Sequence, residues 1–245
     1  MAHRRKYFFA AQTEFTCYVK NIYSLITKKT KVIFIANPNN PTGTIITHTQ
    51  LENLLKNISE KILIVIDEAY YEYVTDKSFP GSIALQKKYP NLIILRTFSK
   101  IYGLAGLRIG YAIAEKTIAD SLKKNRIPFF FNSLSEDAAL TALSDDKFIK
   151  KCAKANERER KYLFTELKTA GYNVVESQAN FLFLYFISEE EKENIFKRLS
   201  DEGLMICNLK IFGQGQSLRI SIADRQTNNR IVSCVRISEA LNKEK

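Results

Sequence analysis

No stretch of the chain reaches the roughly 18 consecutive apolar residues that a membrane-spanning helix requires, so no segment reads as a bilayer anchor. Glycine is scarce: there are nine in 245 residues, and none before Gly43. Proline numbers five, and no repeat or low-complexity tract appears, which excludes fibrous and linker-like classes. The four cysteines, Cys17, Cys152, Cys207 and Cys234, lie far apart with no paired spacing for a metal or a dithiol. They read as reduced thiols, in keeping with a cytoplasmic protein. Residues 1–15 are basic with a short aromatic patch, too short for a signal-peptide core and without a cleavage site.

Positive charge is in excess, with 37 Lys and Arg against 26 Asp and Glu, a net charge of +11. Yet the cations alternate with acids, as in residues 154–168 and 189–202, and such stretches read as solvated helix faces. No zinc-finger spacing, basic heptad or aromatic RNA-binding signature is visible, so no nucleic-acid partner is expected. The excess charge suits a small anionic cofactor and substrate.

Three apolar runs, residues 31–36, 61–66 and 91–98, are continuous rather than alternating. Continuous runs point to strands of a parallel sheet buried on both faces. Helical spacing in residues 49–61 places a helix between the first two, the signature of an α/β fold. Residues 108–114 supply a fourth short strand that continues the pattern. The second half differs. Residues 146–171 read as one amphipathic helix stopped by Gly171, followed by strands at 172–177, 180–186, 204–207 and 217–223, with helices at 189–203 and 228–245. The expected division is therefore a larger α/β part over 1–125 and a smaller α+β domain with its connecting helix over 126–245. The break itself falls near 115–145.

Each run of the first half ends in polar residues, and in an open parallel sheet ligands bind beyond the carboxyl ends of the strands. The first leads into Asn37-Pro38-Asn39-Asn40-Pro41-Thr42-Gly43, the second into Asp67-Glu68-Ala69-Tyr70, the third into Thr97-Phe98-Ser99-Lys100. A lysine just past a buried strand, with hydroxyls and Arg108 nearby, has what a Schiff-base lysine needs, although most lysines lie on surfaces. Each residue also has an ordinary reading. The Asn-Pro run suits a tight turn, Asp67 suits a helix cap, and Glu68 suits a solvent-facing acid. Arg108, among apolar neighbours and glycines, calls for an anionic partner.

The segments ANPNNPTG, IDEAYYEY and RTFSKIYGLAGLRIGY, in that order, resemble the fold-type I pyridoxal-phosphate-dependent class I/II aminotransferases, and within them the histidinol-phosphate aminotransferase family. The resemblance covers most of residues 30–235. It implies a partial large domain with a mostly parallel sheet, plus a smaller C-terminal α+β domain. It also implies pyridoxal 5′-phosphate held covalently by Lys100, which serves as the catalytic base. Asp67 would pair with the cofactor's ring nitrogen, Tyr70 and Asn40 with its phenolic oxygen, and Thr97, Ser99 and Arg108 with its phosphate. Arg219 would clamp the substrate carboxylate, unless it is an ordinary strand cation, and Asn180 would lie near the substrate. Amino acid and 2-oxo acid would be the small-molecule partners, histidinol phosphate and 2-oxoglutarate first among them, in histidine biosynthesis. The full-length family member would be a homodimer.

Two departures shape the expectation. Family members carry a glycine-containing phosphate cup, a ring-stacking aromatic and a dimer-contributed tyrosine ahead of the first matching segment, and residues 1–30 contain no glycine. An N-terminally truncated family member with weak cofactor binding is therefore expected. Where an arginine should recognise a substrate phosphate, the chain has Cys207, with Lys210 as the nearby cation. A decarboxylase of amino-acid phosphates and an inactive aminotransferase fragment are the competing readings.

Overall fold

The structure, a computed structural model, describes residues 19–127 and 132–242. The N-terminal aromatic patch and Cys17 lie outside the described residues. So does a short part of the expected domain break.

Helix α1 (Val19–Leu25) leads into a four-stranded sheet with β1 (Val32–Ala36), β2 (Leu63–Asp67), β3 (Leu92–Thr97) and β4 (Gly110–Ile113) in spatial order. Helices α2 (His48–Asn57) and α3 (Ser82–Lys88) are the crossovers. A capping box fixes the start of α2: Gln50 N–H donates to Thr47 Oγ1 and Thr47 N–H to Gln50 Oε1. Strands β1, β2 and β3 run parallel, with Ala36, Asp67 and Leu95 in one row. One face of this sheet packs Ile64, Ile66, Leu92 and Ile94 against Leu51 and Leu54 of α2, all fully buried. Each such side chain contributes roughly 1.5–3 kcal/mol on leaving water.

Two expectations for this sheet need correction. β1 is not buried on both faces, because Val32 and Phe34 are 40% and 73% exposed. It is the outer strand, and among the described residues nothing covers that face. β4 does not continue the parallel pattern but pairs antiparallel with β3. The β3–β4 connection holds only a short 3₁₀ turn at Ala105–Leu107, with no crossover helix to carry the chain back across the sheet.

Helices α4 (Lys116–Lys124), α5 (Ser133–Ser144) and α6 (Asp146–Thr169) follow. Asp145 caps α6 through Phe148 N–H, and Gly171, at φ 78°, ends it as expected. The second sheet has the order β5 (Asn173–Val175), β6 (Phe181–Tyr185), β8 (Ser217–Ser221), β7 (Cys207–Asn208) and is antiparallel. Helices α7 (Glu189–Asp201) and α8 (Arg225–Asn242), with α6, cover one face of it. There Leu182, Leu184, Leu218 and Ile220 meet Leu163, Leu167, Leu199 and Val235. The expected strand at 204–207 is shorter and starts later, at Cys207.

A smaller cluster of Tyr70, Tyr73, Ile101, Ala179 and Phe181 joins the two sheets. The charged stretches 154–168 and 189–202 are not wholly solvated. Glu159, Arg160 and Lys192 are buried, each inside a hydrogen-bonding set that alternating charge in the sequence cannot reveal.

Candidate active site

β1, β2 and β3 are parallel neighbours, each strand about 4.8 Å from the next, so residues just beyond their carboxyl ends meet at one edge. After β1 the chain folds back on itself. Asn37, fully buried, accepts from Ile46 N–H at 2.9 Å and donates to Ile46 O at 3.2 Å. Asn39 donates to Thr42 Oγ1 at 2.8 Å. The turn reading holds for two of the asparagines and leaves the third free of the loop's own hydrogen bonds. Asn37 and Asn39 build the loop, and Asn40 projects from its exposed tip.

Asp67 closes β2 with an exposed carboxylate. Its Oδ1 accepts from Ala69 N–H at 3.0 Å, and no described residue donates to Oδ2. The next residue corrects an expectation: Glu68 is not solvent-facing but fully buried. Its Oε2 accepts from Arg96 Nε at 3.0 Å and Nη2 at 2.8 Å, and the Arg96 guanidinium lies 3.6 Å over the Tyr71 ring. Burial pushes the Glu68 carboxyl above its ordinary range, against the pull of Arg96. The pair ties the end of β2 to β3.

Tyr70 is buried, its ring edge-on to Phe181 at 5.1 Å. Lys100 Nζ stands 5.2 Å from the Tyr70 ring centroid. Phe98 and Ile101 are buried on either side of Ser99-Lys100 and hold that dipeptide half-buried at the edge. No described carboxylate pairs with the Lys100 amine.

Thr97 Oγ1 accepts from Ser99 N–H at 3.1 Å, and Arg108 Nη1 donates to Ser99 Oγ at 3.4 Å and to Ala105 O at 2.9 Å. These three residues make one polar rim. Arg108 is exposed, so the expectation of a cation stranded among apolar groups is corrected. What singles it out is its left-handed backbone, φ 52°, a conformation uncommon outside glycine.

Arg219 reaches this edge from the second sheet. Its Nη1 donates to Asn40 Oδ1 at 2.6 Å, its guanidinium lies 5.1 Å from the Phe181 ring, and its Nε is buried with no hydrogen-bond partner among the described residues. An enclosed donor left unpaired costs about 1–3 kcal/mol, a cost an anion would remove. Its cross-strand neighbours are Phe183 on β6 and Cys207 on β7. Lys210, near Cys207, is taken by Glu189 at 2.5 Å. Asn180 stays outside this group. It lines a neighbouring cleft with Tyr73, Ile101 and Arg225, and its carbonyl accepts from Ile222 N–H at 2.9 Å.

Fold and edge together define the class: a fold-type I α/β protein with a lysine just beyond its parallel strands. The chain belongs to the aminotransferase class I and II family, whose sequence model matches residues 2–237. It is 40% identical over 211 residues to the histidinol-phosphate aminotransferase of Brevibacillus brevis, covering 86% of this chain and 57% of that one. The chain thus spans little more than half the length of such relatives. The crystal structure of the histidinol-phosphate aminotransferase from Clostridium acetobutylicum superposes with a TM-score of 0.82 at 30% identity, covering 91% of this chain and 67% of that one. The Sinorhizobium meliloti enzyme, solved in complex with pyridoxal 5′-phosphate, superposes with a TM-score of 0.76 at 28% identity, over 84% of this chain and 56% of its own.

Pyridoxal 5′-phosphate is the cofactor of this family, and the residues present fit it. A primary amine without a counter-ion among the described residues stands beside an aromatic ring. Two hydroxyls and a guanidinium form an anion rim, and a carboxylate keeps one oxygen open for a cationic ring nitrogen.

Proposed function

We propose that this chain carries the catalytic lysine of a pyridoxal-phosphate-dependent aminotransferase that moves an amino group between an amino acid and a 2-oxo acid. The observation that carries the reading is Lys100 Nζ, without a carboxylate partner, on the same edge as Asp67 and across from the half-satisfied Arg219. When bound, the cofactor supplies a ring that withdraws electrons from the substrate's α-carbon. Lys100 is the residue that holds it covalently. With the cofactor bound, the Lys100 amine would be the base that takes the substrate's α-proton. Asp67 Oδ2 would pair with the cofactor's ring nitrogen, and Asn40 and Tyr70 would donate to its phenolic oxygen. Thr97, Ser99 and Arg108 receive the phosphate.

Arg219 takes the anionic group of the substrate as a planar fork. Asn180, one residue before β6, borders the substrate space from the neighbouring cleft. Similarity to the Brevibacillus enzyme supports histidinol phosphate and 2-oxoglutarate as the pair, in histidine biosynthesis. With Cys207 beside Arg219 and Lys210 already paired, Arg219 is the cation left to bind a phosphate or a carboxylate there. The same reading gives a large part over 1–125, a small domain over 126–245, and a cytoplasmic homodimer for the whole protein.

The test is a spectroscopic titration with pyridoxal 5′-phosphate, comparing the wild type with Lys100→Ala. The wild type should develop a shifted cofactor band that borohydride makes permanent, and the variant should not. Identical spectra for both would sink the assignment. Product formation that stops when 2-oxoglutarate is withheld separates transamination from decarboxylation, which needs no acceptor.

A further inference from the structure

Lys100 follows β3 and Arg219 lies on β8, in sheets that share no strand, and beyond the Arg219–Asn40 hydrogen bond the span between them is set by contacts elsewhere on the seam. The contacts that cross the seam converge on the loop 177–180, immediately before β6. Gln178 Oε1 accepts from Thr75 N–H at 2.8 Å, Thr75 Oγ1 at 3.2 Å and Asp76 N–H at 3.2 Å. Gln178 N–H donates to Gly43 O at 2.8 Å, three residues beyond Asn40. The two loops touch closely there: a Cβ on Gly43, which has φ +76°, would lie 2.1 Å from Ser177 Oγ. Arg160 of α6 closes the other side. Its Nη1 donates to Tyr73 O at 3.2 Å and Ala179 O at 2.9 Å, and its Nη2 to Thr75 Oγ1 at 3.2 Å. Arg160 is 4% exposed and makes no ion pair among the described residues, so its partners are the seam itself.

We propose that Gln178 and Arg160 are positioning residues that lock the second sheet onto the first and so hold Arg219 at a fixed reach from Lys100. The chain of contact is short. Past Gln178 and Ala179, Phe181 packs on Tyr70 and lies under the Arg219 guanidinium. Loosening the loop frees the substrate clamp, while Asp67, Thr97, Ser99 and Lys100 stay where β2 and β3 put them. The proposal rests on the aminotransferase reading only for what Arg219 binds.

Gln178→Leu, which deletes the acceptor, and Gln178→Glu, which keeps an oxygen in place, make the test in the full chain. In Gln178→Leu the KM for L-glutamate should rise on the order of tenfold with kcat and the cofactor band little changed, and Gln178→Glu should recover most of the loss. Hydrogen exchange should quicken at residues 73–76 and 43–44 without quickening in either core. An unchanged KM together with unchanged exchange would overturn the proposal. So would loss of the cofactor band with faster exchange throughout, which is what a merely structural residue would give. If the wild type neither binds cofactor nor turns over, the aminotransferase reading fails on its own, and the exchange pattern still decides the latch.

Discussion

Asp67 and Glu68 are adjacent carboxylates that the end of β2 sends in opposite directions, one to the exposed edge and one into the protein. Side chains alternate along a strand, so if Asp67 serves the site, Glu68 must find a partner on the other side. That partner is Arg96, 28 residues away, 10% exposed against 0% for the acid. Removing one member of a buried pair leaves an uncompensated charge, which costs roughly 3–5 kcal/mol. Glu68→Leu should therefore lower the melting temperature by on the order of 10 °C for a chain of this size. Glu68→Gln, which can still accept from Arg96, should lose less. Thermal melts check this, and a drop of a degree or two in Glu68→Leu would show the pair to be idle. The site was legible where its residues directly follow apolar runs, because the carboxyl-edge rule then applies to Asn40, Asp67 and Lys100. Glu68 and Gln178 were not legible: the partner of Gln178 is 103 residues distant, and no local pattern marks such a pair.

At the scale of elements, Gly103, Gly106 and Gly110 look alike in the sequence, but the β3–β4 connection uses them differently. Gly103 takes φ +72° in a turn with open space around it, and nothing stands within 4 Å of a Cβ on Gly106. A Cβ on Gly110 would lie 2.7 Å from Arg96 O and 3.5 Å from Thr97 Cα. Gly110 is thus the residue that lets β4 pair with β3 at Thr97. Gly110→Ala should push the strands apart at that pair, at a cost of about 1–3 kcal/mol. Gly106→Ala should change stability by less than about 0.5 kcal/mol. Denaturant melts of both variants check the contrast, and equal effects would refute it. The parallel strands were legible from their continuous apolar runs. The reversal into β4 was not, since a strand's direction depends on whether its connection holds a packing helix. Nor was the exposure of Phe34, which depends on what lies against the outer face of β1 and not on the composition of the run.

Over the whole molecule, α6 ties the parts together, and its alternating charges conceal how. Glu159 and Arg160 are neighbours on the helix, about 100° apart in projection, and face different partners. Arg160 turns to the seam between the sheets. Glu159, 5% exposed at its side chain, accepts from Arg225 Nε at 2.8 Å, Arg158 Nε at 2.9 Å and Asn228 Nδ2 at 3.3 Å, which fastens α6 to the start of α8. Arg225 in turn stacks 3.7 Å over Tyr162. The Arg225 hydrogen bonds foremost, with those from Arg158 and Asn228, hold the Glu159 carboxyl down at about 2, against an ordinary 4.5. A carboxyl depressed on folding contributes stability that is complete above its ordinary value and is lost as pH falls toward the folded one. Here the window runs from about 4.5 down to about 2. Acidification across it also raises a net charge that already stands at +11, so self-repulsion acts in the same direction. Urea denaturation of the wild type and Glu159→Gln, repeated from pH 7 down to the acid limit, isolates the Glu159 share. The variant should be less stable at neutral pH and lose stability less steeply below pH 4.5, so that the two curves converge at the acid end. Curves that stay parallel throughout would mean that the α6–α8 contact does not depend on the Glu159 charge.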